Sequence, residues 1–415
     1  MNVYLAIILA IILGQYFLEL IVESSNIRHA KATLPEEFSD VYSPEDYKKS
    51  QNYLKEKTRF SLTTETILTV ITILFILSGG FNFVDQLARS LDMGPIPTGL
   101  VFSAILLLAI QALSIPFAAY HTFTIEAKYG FNKTTIKTFI LDRIKSWIIA
   151  AIILGIAFCA ILWFFEKTGG LAWFYCWIGL TLMQLFLVFI APVLILPLFN
   201  KYIPLEQGDL KQAIEDYAKV QNFKLQGIFK MDGSRRSTKS NAFFTGFGKF
   251  KRIALFDTLI EKHTTEELVS VIAHEIGHYS KKHIIKDLLI SILTNGLMLL
   301  ILSKFINNPG LFAAFRMEKL SIYASLFFFS FLYTPINLII SILGNVLSRK
   351  HEFEADAYAI ETYGKPQAFI AALKKLSVNN LSNLTPHPLK VFLEYSHPPV
   401  LQRIRAIKQV KQLLK

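Results

Sequence analysis

Residues 146 to 165 read SWIIAAIILGIAFCAILWFF, twenty in a row without a charged side chain. At about 1.5 Å per residue a helix of that length covers about 30 Å, the thickness of bilayer hydrocarbon. One such run could be the core helix of a large soluble protein, but similar blocks fall near residues 2 to 22, 62 to 84, 98 to 119, 171 to 198, 286 to 305 and 320 to 343, about seven in all. Composition agrees: of 415 residues 53% are apolar and 18% charged, with a mean hydropathy of +0.42. Thirty-five Phe and sixteen Tyr exclude a disordered chain, and two cysteines exclude a disulfide scaffold or a cysteine-cluster zinc finger. The pattern predicts an all-α polytopic membrane protein. The first block has no Lys or Arg before its apolar core and no small-residue cleavage site after it, so it reads as a span rather than a signal peptide.

Lys and Arg alternate between loops. The loop from 23 to 61 holds seven of them, the next only Arg89, the third five (Lys128, Lys133, Lys137, Arg143 and Lys145), and the fourth only Lys167. The segment from 199 to 285 and the tail after 344 are basic again, while 306 to 319 has only Arg316 and Lys319. Basic loops stay in the cytoplasm, so an odd number of spans puts the N-terminus outside or in the lumen and the C-terminus inside. Orientation also accounts for the formal charge of +12 without nucleic acid, for which no recognition motif is present. Residues 1–198 then form an N-terminal membrane domain of about five helices, and 199–415 a metallopeptidase domain with two more spans and a cytoplasmic tail.

The polar segment from 199 to 285 is where chemistry is expected. GIFKMDG, NAFFTGF and FKRIALFD are short, β-branched and aromatic stretches broken by glycine, which predicts a small sheet or hairpin. Thr264 and Glu267 have the spacing of a capping box and announce a helix. On that helix lies His274-Glu275-Ile276-Gly277-His278, an HExxH motif. Four residues apart, both imidazoles project from one face and can hold one Zn²⁺, while Glu275 can take a proton from a water the metal has acidified. Gly277 costs such a helix about 1 kcal/mol against Ala, which suggests a close approach beside the metal.

Zinc needs a third ligand and an open position for water. If the HExxH helix runs on into the span near Lys286, His278 stands about 12 Å beyond the hydrocarbon; by the same rise Glu352 stands about 13 Å beyond the span ending near Leu343. His351, Glu354 and Asp356 are rivals, and spacing does not choose among them. Glu352 and Asp356 share a helix face, which suits one ligand and one carboxylate holding a histidine tautomer; Glu354 points elsewhere.

These residues carry a resemblance. The chain is similar to the CAAX prenyl proteases of type 1, polytopic membrane zinc metalloproteases, over nearly its whole length. The match includes Phe123-Thr124-Ile125-Glu126 through Tyr129-Gly130-Phe131-Asn132, Ile190-Ala191-Pro192 running on to Pro197-Leu198-Phe199-Asn200-Lys201, Asn241-Ala242-Phe243-Phe244-Thr245-Gly246, HEIGH, Ser348-Arg349 with Glu352 and Ala355-Asp356, and Tyr395-Ser396-His397-Pro398-Pro399. The resemblance implies His274, His278 and Glu352 as ligands of one zinc ion per chain, Glu275 as general base, and Asp356 bracing His274. It implies that His397 and Arg403 contact the scissile carbonyl and substrate backbone. Asn241, Ala242, Phe243 and Phe244 would form an edge strand that pairs with an extended peptide. It further implies helices around an intramembrane chamber, and release of the last three residues of prenylated proteins ending in Cys-aliphatic-aliphatic-X.

The expected partners are a lipid-modified or hydrophobic protein substrate and membrane lipids, with the chain monomeric. The tail ends Gln412-Leu413-Leu414-Lys415 without an ER-retrieval signal, so a bacterial inner membrane and an ER membrane both remain open. A quality-control metalloprotease acting on misfolded or unlipidated membrane proteins is the alternative use of the same site. A transporter with a structural metal is disfavoured by the scarcity of ionisable residues in the spans. Cys159 and Cys176 read as small core residues, and His283 as off the metal-binding face.

Overall fold

Asn2 accepts hydrogen bonds from the amides of Tyr4 and Leu5, two donors that a helix start leaves unmet. Helix α1 follows as Val3–His29. The structure, a computed structural model, describes residues 2–31, 33–245 and 252–413. Ser43 caps α2 (Pro44–Leu77), whose first half is polar and whose second half is apolar. The second span stops at Leu77, and residues 78 to 84, read from the sequence as its end, belong elsewhere. Gly79 takes φ +79° and turns the chain into α3 (Gly80–Arg89).

Next come α4 (Pro95–Tyr120), α5 (Ile136–Lys167) and α6 (Ala172–Ile190). Helix α4 continues as a wider π-helical turn over His121–Glu126, and α6 likewise over Ala191–Ile195 before the short α7 (Leu196–Phe199). Strand β1 (Tyr202–Pro204), α8 (Asp209–Val220), β2 (Gly227–Met231), β3 (Ala242–Thr245), β4 (Arg252–Phe256) and α9 (Asp257–Lys262) follow. The motif helix is α10 (Thr265–Ser280), and after it come α11 (His283–Leu302), α12 (Pro309–Ala314) and α13 (Ile322–Tyr363). The chain closes with α14 (Pro366–Asn379), α15 (Pro388–Glu394) and α16 (Val400–Leu413).

Seven helical stretches are long and apolar enough to cross a membrane: α1, α2, α4, α5, α6 with α7, α11 and α13. No more than 17% of the most apolar window of any of them is buried. At one end of the bundle Phe102, Phe312, Phe315 and Phe328 are fully buried together. At the other end α8, α10, α14, α16 and the sheet pack around Ile214, Leu255, Ile272, Ile276, Phe369 and Ile404.

The sheet has four strands, in the order β1-β2-β4-β3. Strands β2 and β4 are parallel, and the two outer pairs are antiparallel. The three stretches read as strands are β2, β3 and β4, while β1 lacked a sequence signal at only three residues. Among the described residues strand β3 is an edge: Ala242 to Thr245 pair with Leu255 to Arg252 on one side only. Gly246 lies outside the described residues.

One topological expectation fails. Helix α10 does not continue into the next span: it ends at Ser280, Lys282 adopts φ +58°, and α11 starts in a new direction at His283. By contrast α13 is one helix of 42 residues through Pro335, carrying both a span and the SRKHEFEAD segment.

Candidate metal centre and active site

Thr264 starts α10 with both bonds of the capping box: its hydroxyl accepts from the Glu267 amide, and the Glu267 carboxylate accepts from the Thr264 amide. Leu268, Val269, Ile272, Ala273 and Ile276 of this helix are buried, which fixes its rotation and turns the face of residues 274 and 278 toward α13. The helices come close at Gly277. A Cβ there would lie 3.1 Å from both Cα and O of Ala355 and 3.2 Å from Tyr358 Cβ. The close approach anticipated for this glycine beside the metal site is made to the α13 backbone.

That approach brings Glu352 to the histidine pair. His274 Nε2 lies 3.1 Å from His278 Nε2, His278 Nε2 3.3 Å from Glu352 Oε1, and His274 Nε2 3.5 Å from Glu352 Oε2. Glu352, not His351, Glu354 or Asp356, completes this cluster. His351 faces Asp287, Glu354 accepts from His283, and Asp356 lies behind His274.

The surrounding bonds set the tautomers. Asp356 Oδ1 accepts a hydrogen bond from His274 Nδ1–H at 2.9 Å, leaving Nε2 as a lone pair. Glu354 accepts from His283 Nε2, so His283 Nδ1 is bare and accepts from His278 Nδ1 at 3.1 Å. His278 Nε2 is then a lone pair as well. Two imidazole lone pairs thus face each other at 3.1 Å with no proton between them, and Glu352 Oε2 is buried without a hydrogen-bond partner among the described residues. A cation satisfies all three. Ligand bonds of about 2.0 to 2.1 Å in a tetrahedral shell put neighbouring donors about 3.3 Å apart, the size of the triangle observed. The residues present fit a zinc ion.

Glu275, next to His274, makes no hydrogen bond with any described residue. Burial pushes its carboxyl above the ordinary 4.5, against the pull of the two histidines. His397 Nε2 lies 3.3 Å from Glu352 Oε1, an acceptor, and its Nδ1 is 3.0 Å from the Ser396 hydroxyl. The arrangement suits an Nε2–H donor with Ser396 donating to Nδ1. The turn that carries it is fixed from α13: Asn345 donates to the Leu393 carbonyl at 2.8 Å, and Arg349 donates to the carbonyls of Val391 and Tyr395. The Arg349 bond to the Tyr395 carbonyl, two residues before His397, ties the Ser-Arg segment to the site.

Arg403 lies against the carboxylates behind the histidine pair. Its Nε donates to Asp356 Oδ2 at 2.8 Å, its Nη2 to Asp356 Oδ1, and its Nη1 lies 3.4 Å from Glu352 Oε2. Burial opposes its charge, but Asp356 and Glu352 outweigh that and hold the guanidinium protonated, above its ordinary value. It therefore braces both carboxylates. Asn241 is exposed beside β3, its side chain accepting from the Ala242 amide at 2.9 Å, while the backbone of Ala242, Phe243 and Phe244 forms the sheet edge. His283 lies off the metal-binding face as expected, but its bond to His278 was not foreseen: it lies past the break at Lys282, and no helical spacing relates it to His278.

The segment before the edge strand is tied to the membrane half. The Lys133 amide donates to the Arg236 carbonyl at 3.0 Å, and the Thr238 amide to that of Phe131 at 3.1 Å. Arg236 donates to both oxygens of Asp142, at 2.7 and 3.0 Å.

Comparison with known proteins agrees with this architecture. A family described as "CAAX prenyl protease N-terminal, five membrane helices" matches residues 23–201, and "Peptidase family M48" matches residues 204–411. CAAX prenyl protease 1 of Saccharomyces cerevisiae is 32% identical, over 92% of this chain and 90% of the relative. A CAAX prenyl protease 1 homolog of Arabidopsis thaliana is 37% identical, over 90% of each chain. The crystal structure of S. mikatae Ste24p superposes with a TM-score of 0.93 at 32% identity, covering 97% of this chain and 99% of that one. With both halves matched and the His274, His278 and Glu352 cluster lying within the second, the chain belongs to the CAAX prenyl protease 1 family of integral-membrane M48 metallopeptidases.

Proposed function

We propose that the chain is a zinc endopeptidase that removes the last three residues of prenylated Cys-aliphatic-aliphatic-X proteins. The observation that carries this reading is the triangle of two bare imidazole nitrogens and one carboxylate, with edges of 3.1, 3.3 and 3.5 Å, beside an edge strand open to a peptide. The substrate class follows from the relatives' names.

His274, His278 and Glu352 would hold one zinc ion, which when bound supplies a Lewis acid that acidifies water and polarises a carbonyl. The chain's residues do the rest. Glu275, half-buried and without a hydrogen bond to any described residue, takes a proton from the attacking water and later passes it to the leaving amine. A carboxyl whose proton affinity burial has raised is a better acceptor than a solvated glutamate. His397, two-thirds exposed at 66%, offers Nε2–H to the developing oxyanion. Arg403 keeps Asp356 and Glu352 aligned and adds positive charge beneath them. Backbone groups of Asn241 to Phe244 would hold the peptide in extended form, which fixes the scissile bond without demanding a sequence.

The membrane half, residues 1–198, would surround the substrate's lipid, with the peptidase half, 199–415, at one mouth. Support for a hollow ring is that no span buries more than 17% of its apolar window, whereas a solid seven-helix bundle buries its central helix. Alternation of Lys and Arg supports a site on the cytoplasmic side, and one chain would suffice for the reaction.

The test uses purified, zinc-loaded protein and a farnesylated C-terminal peptide, with products read by mass spectrometry. Loss of the last three residues, abolished by chelation and restored by zinc, is the expected result. Cleavage of unlipidated membrane-protein segments without cleavage of the farnesylated peptide would overturn the substrate assignment.

A further inference from the structure

A cavity of about 710 Å³ opens beside the metal centre, and the proposed reaction does not account for its charge. His397 and Arg403 line one part, Lys239 the part nearest the edge strand, and Lys57 and Lys390 the remainder. Two of these lysines have counter-ions. Lys239 Nζ lies 2.7 Å from Glu126 Oε2, and Lys390 Nζ 2.7 Å from both Glu23 Oε1 and Glu394 Oε2. Lys57, on the polar half of α2, makes no ion pair and no hydrogen bond with any described residue. Its ammonium is 5.9 Å from the ring of Tyr53, over which Lys239 also lies at 5.2 Å.

Strand geometry says which end of a bound peptide reaches this cation. A peptide added antiparallel to the free edge of β3 runs past Thr245 first and Ala242 last. Its C-terminal end then passes Ser240 and Lys239. Those residues are held in place: the Ser240 amide donates to Asn380 Oδ1 at 3.0 Å, and Asn380 Nδ2 donates to the Ser240 carbonyl at 3.2 Å. Leu373, Leu376 and Leu381 line the same cavity and suit aliphatic side chains. Three extended residues span about 10 Å, so a carboxylate three residues beyond the scissile bond falls inside such a cavity rather than at the metal.

We propose that this cavity receives the free C-terminal carboxylate of the substrate, with the unpaired Lys57 ammonium as its counter-ion. The inference rests on the proteolytic reading above and deepens it. Lys57 fixes how far from the chain end the peptide is cut, while apolar walls accept the two aliphatic side chains without selecting between them. Without a carboxylate to pair with, Lys57 is a spare positive charge in a cavity where every other lysine has an acidic partner.

The experiment compares a farnesylated peptide ending in a free carboxylate with the same peptide ending in a carboxamide, on zinc-loaded full-length protein. A charge-assisted pair of this kind predicts a kcat/KM for the acid about 10-fold or more above that for the amide. In Lys57→Ala the ratio falls toward one, in Lys57→Arg it is kept, and in Lys57→Glu it inverts. Zinc content and thermal unfolding of each preparation report whether the variant is folded. Equal rates for acid and amide in wild type, or an unchanged ratio in folded Lys57→Ala, overturn the carboxylate site and leave proteolysis standing. Failure of wild type to cut either peptide overturns the proteolytic reading and this inference with it.

Discussion

A methyl group at position 277 is expected to cost the protein its metal before it costs the fold. In Gly277→Ala the new Cβ would meet Ala355 Cα and O at 3.1 Å and Tyr358 Cβ at 3.2 Å. Ordinary carbon contacts lie at about 3.5 to 4.0 Å, so α13 must retreat by a few tenths of an ångström or more. Ala355 stands between Glu352 and Asp356, so the retreat carries away both a ligand and the carboxylate that fixes His274. Metal sites tolerate about 0.2 Å. Zinc affinity should fall about 10- to 100-fold, the range seen when outer supports of a metal site are lost. Stability is a smaller difference of opposing effects: overpacking costs about 1 to 3 kcal/mol, and alanine returns about 1 kcal/mol of helix propensity. Competition for zinc against a chromophoric chelator, with thermal unfolding of the metal-free protein, reads both quantities. Wild-type zinc affinity in a variant that unfolds at a higher temperature would refute the argument, because propensity alone would then govern the position.

Three further outcomes follow. His283→Ala removes the acceptor that holds the His278 proton on Nδ1, so zinc affinity should drop about 10-fold with little loss of fold; unchanged affinity in the competition assay would exclude this role. Arg403→Met leaves Asp356 buried without its partner, and breaking such a pair costs about 3 to 5 kcal/mol; an unaltered unfolding temperature would contradict it. Because burial raises the Glu275 carboxyl, its proton is lost at higher pH than for a free glutamate; the active base disappears as pH falls through that raised value, and the acidic limb of kcat/KM should lie above 4.5. A rate that stays flat down to pH 4.5 would show that Glu275 is not the base.

What the sequence revealed depended on range. The HExxH pair and its capping box were legible because both lie within one helical turn or two, where spacing alone fixes geometry. Seven spans were countable for the same reason, since length and apolarity are local properties. Choosing Glu352 over His351, Glu354 and Asp356 needed either the resemblance or the crossing at Gly277, which is a property of two helices together. The turns at Gly79 and Lys282 were missed because each lies at the edge of an apolar run that hides it. The latter also concealed His283, whose position depends on the new direction of α11. Arg403 was found as a residue but not in its place: its bonds to Asp356 cross 47 positions of sequence, and no periodicity reports them.

The unbroken course of α13 turns the bilayer into part of the coordination sphere. Glu352 stands thirty residues beyond Ile322, about 45 Å along the same rod. A rotation of one degree about the far end of that rod displaces Glu352 by roughly 0.8 Å, several times the error of about 0.2 Å that a metal site accepts. The packing of α10 on α13 at Gly277 and Ala355 is therefore what keeps the triangle together when the rod tilts. Because one helix carries both a span and Glu352, the ligand cannot be separated from the membrane-crossing part of the chain without cutting the element that positions it.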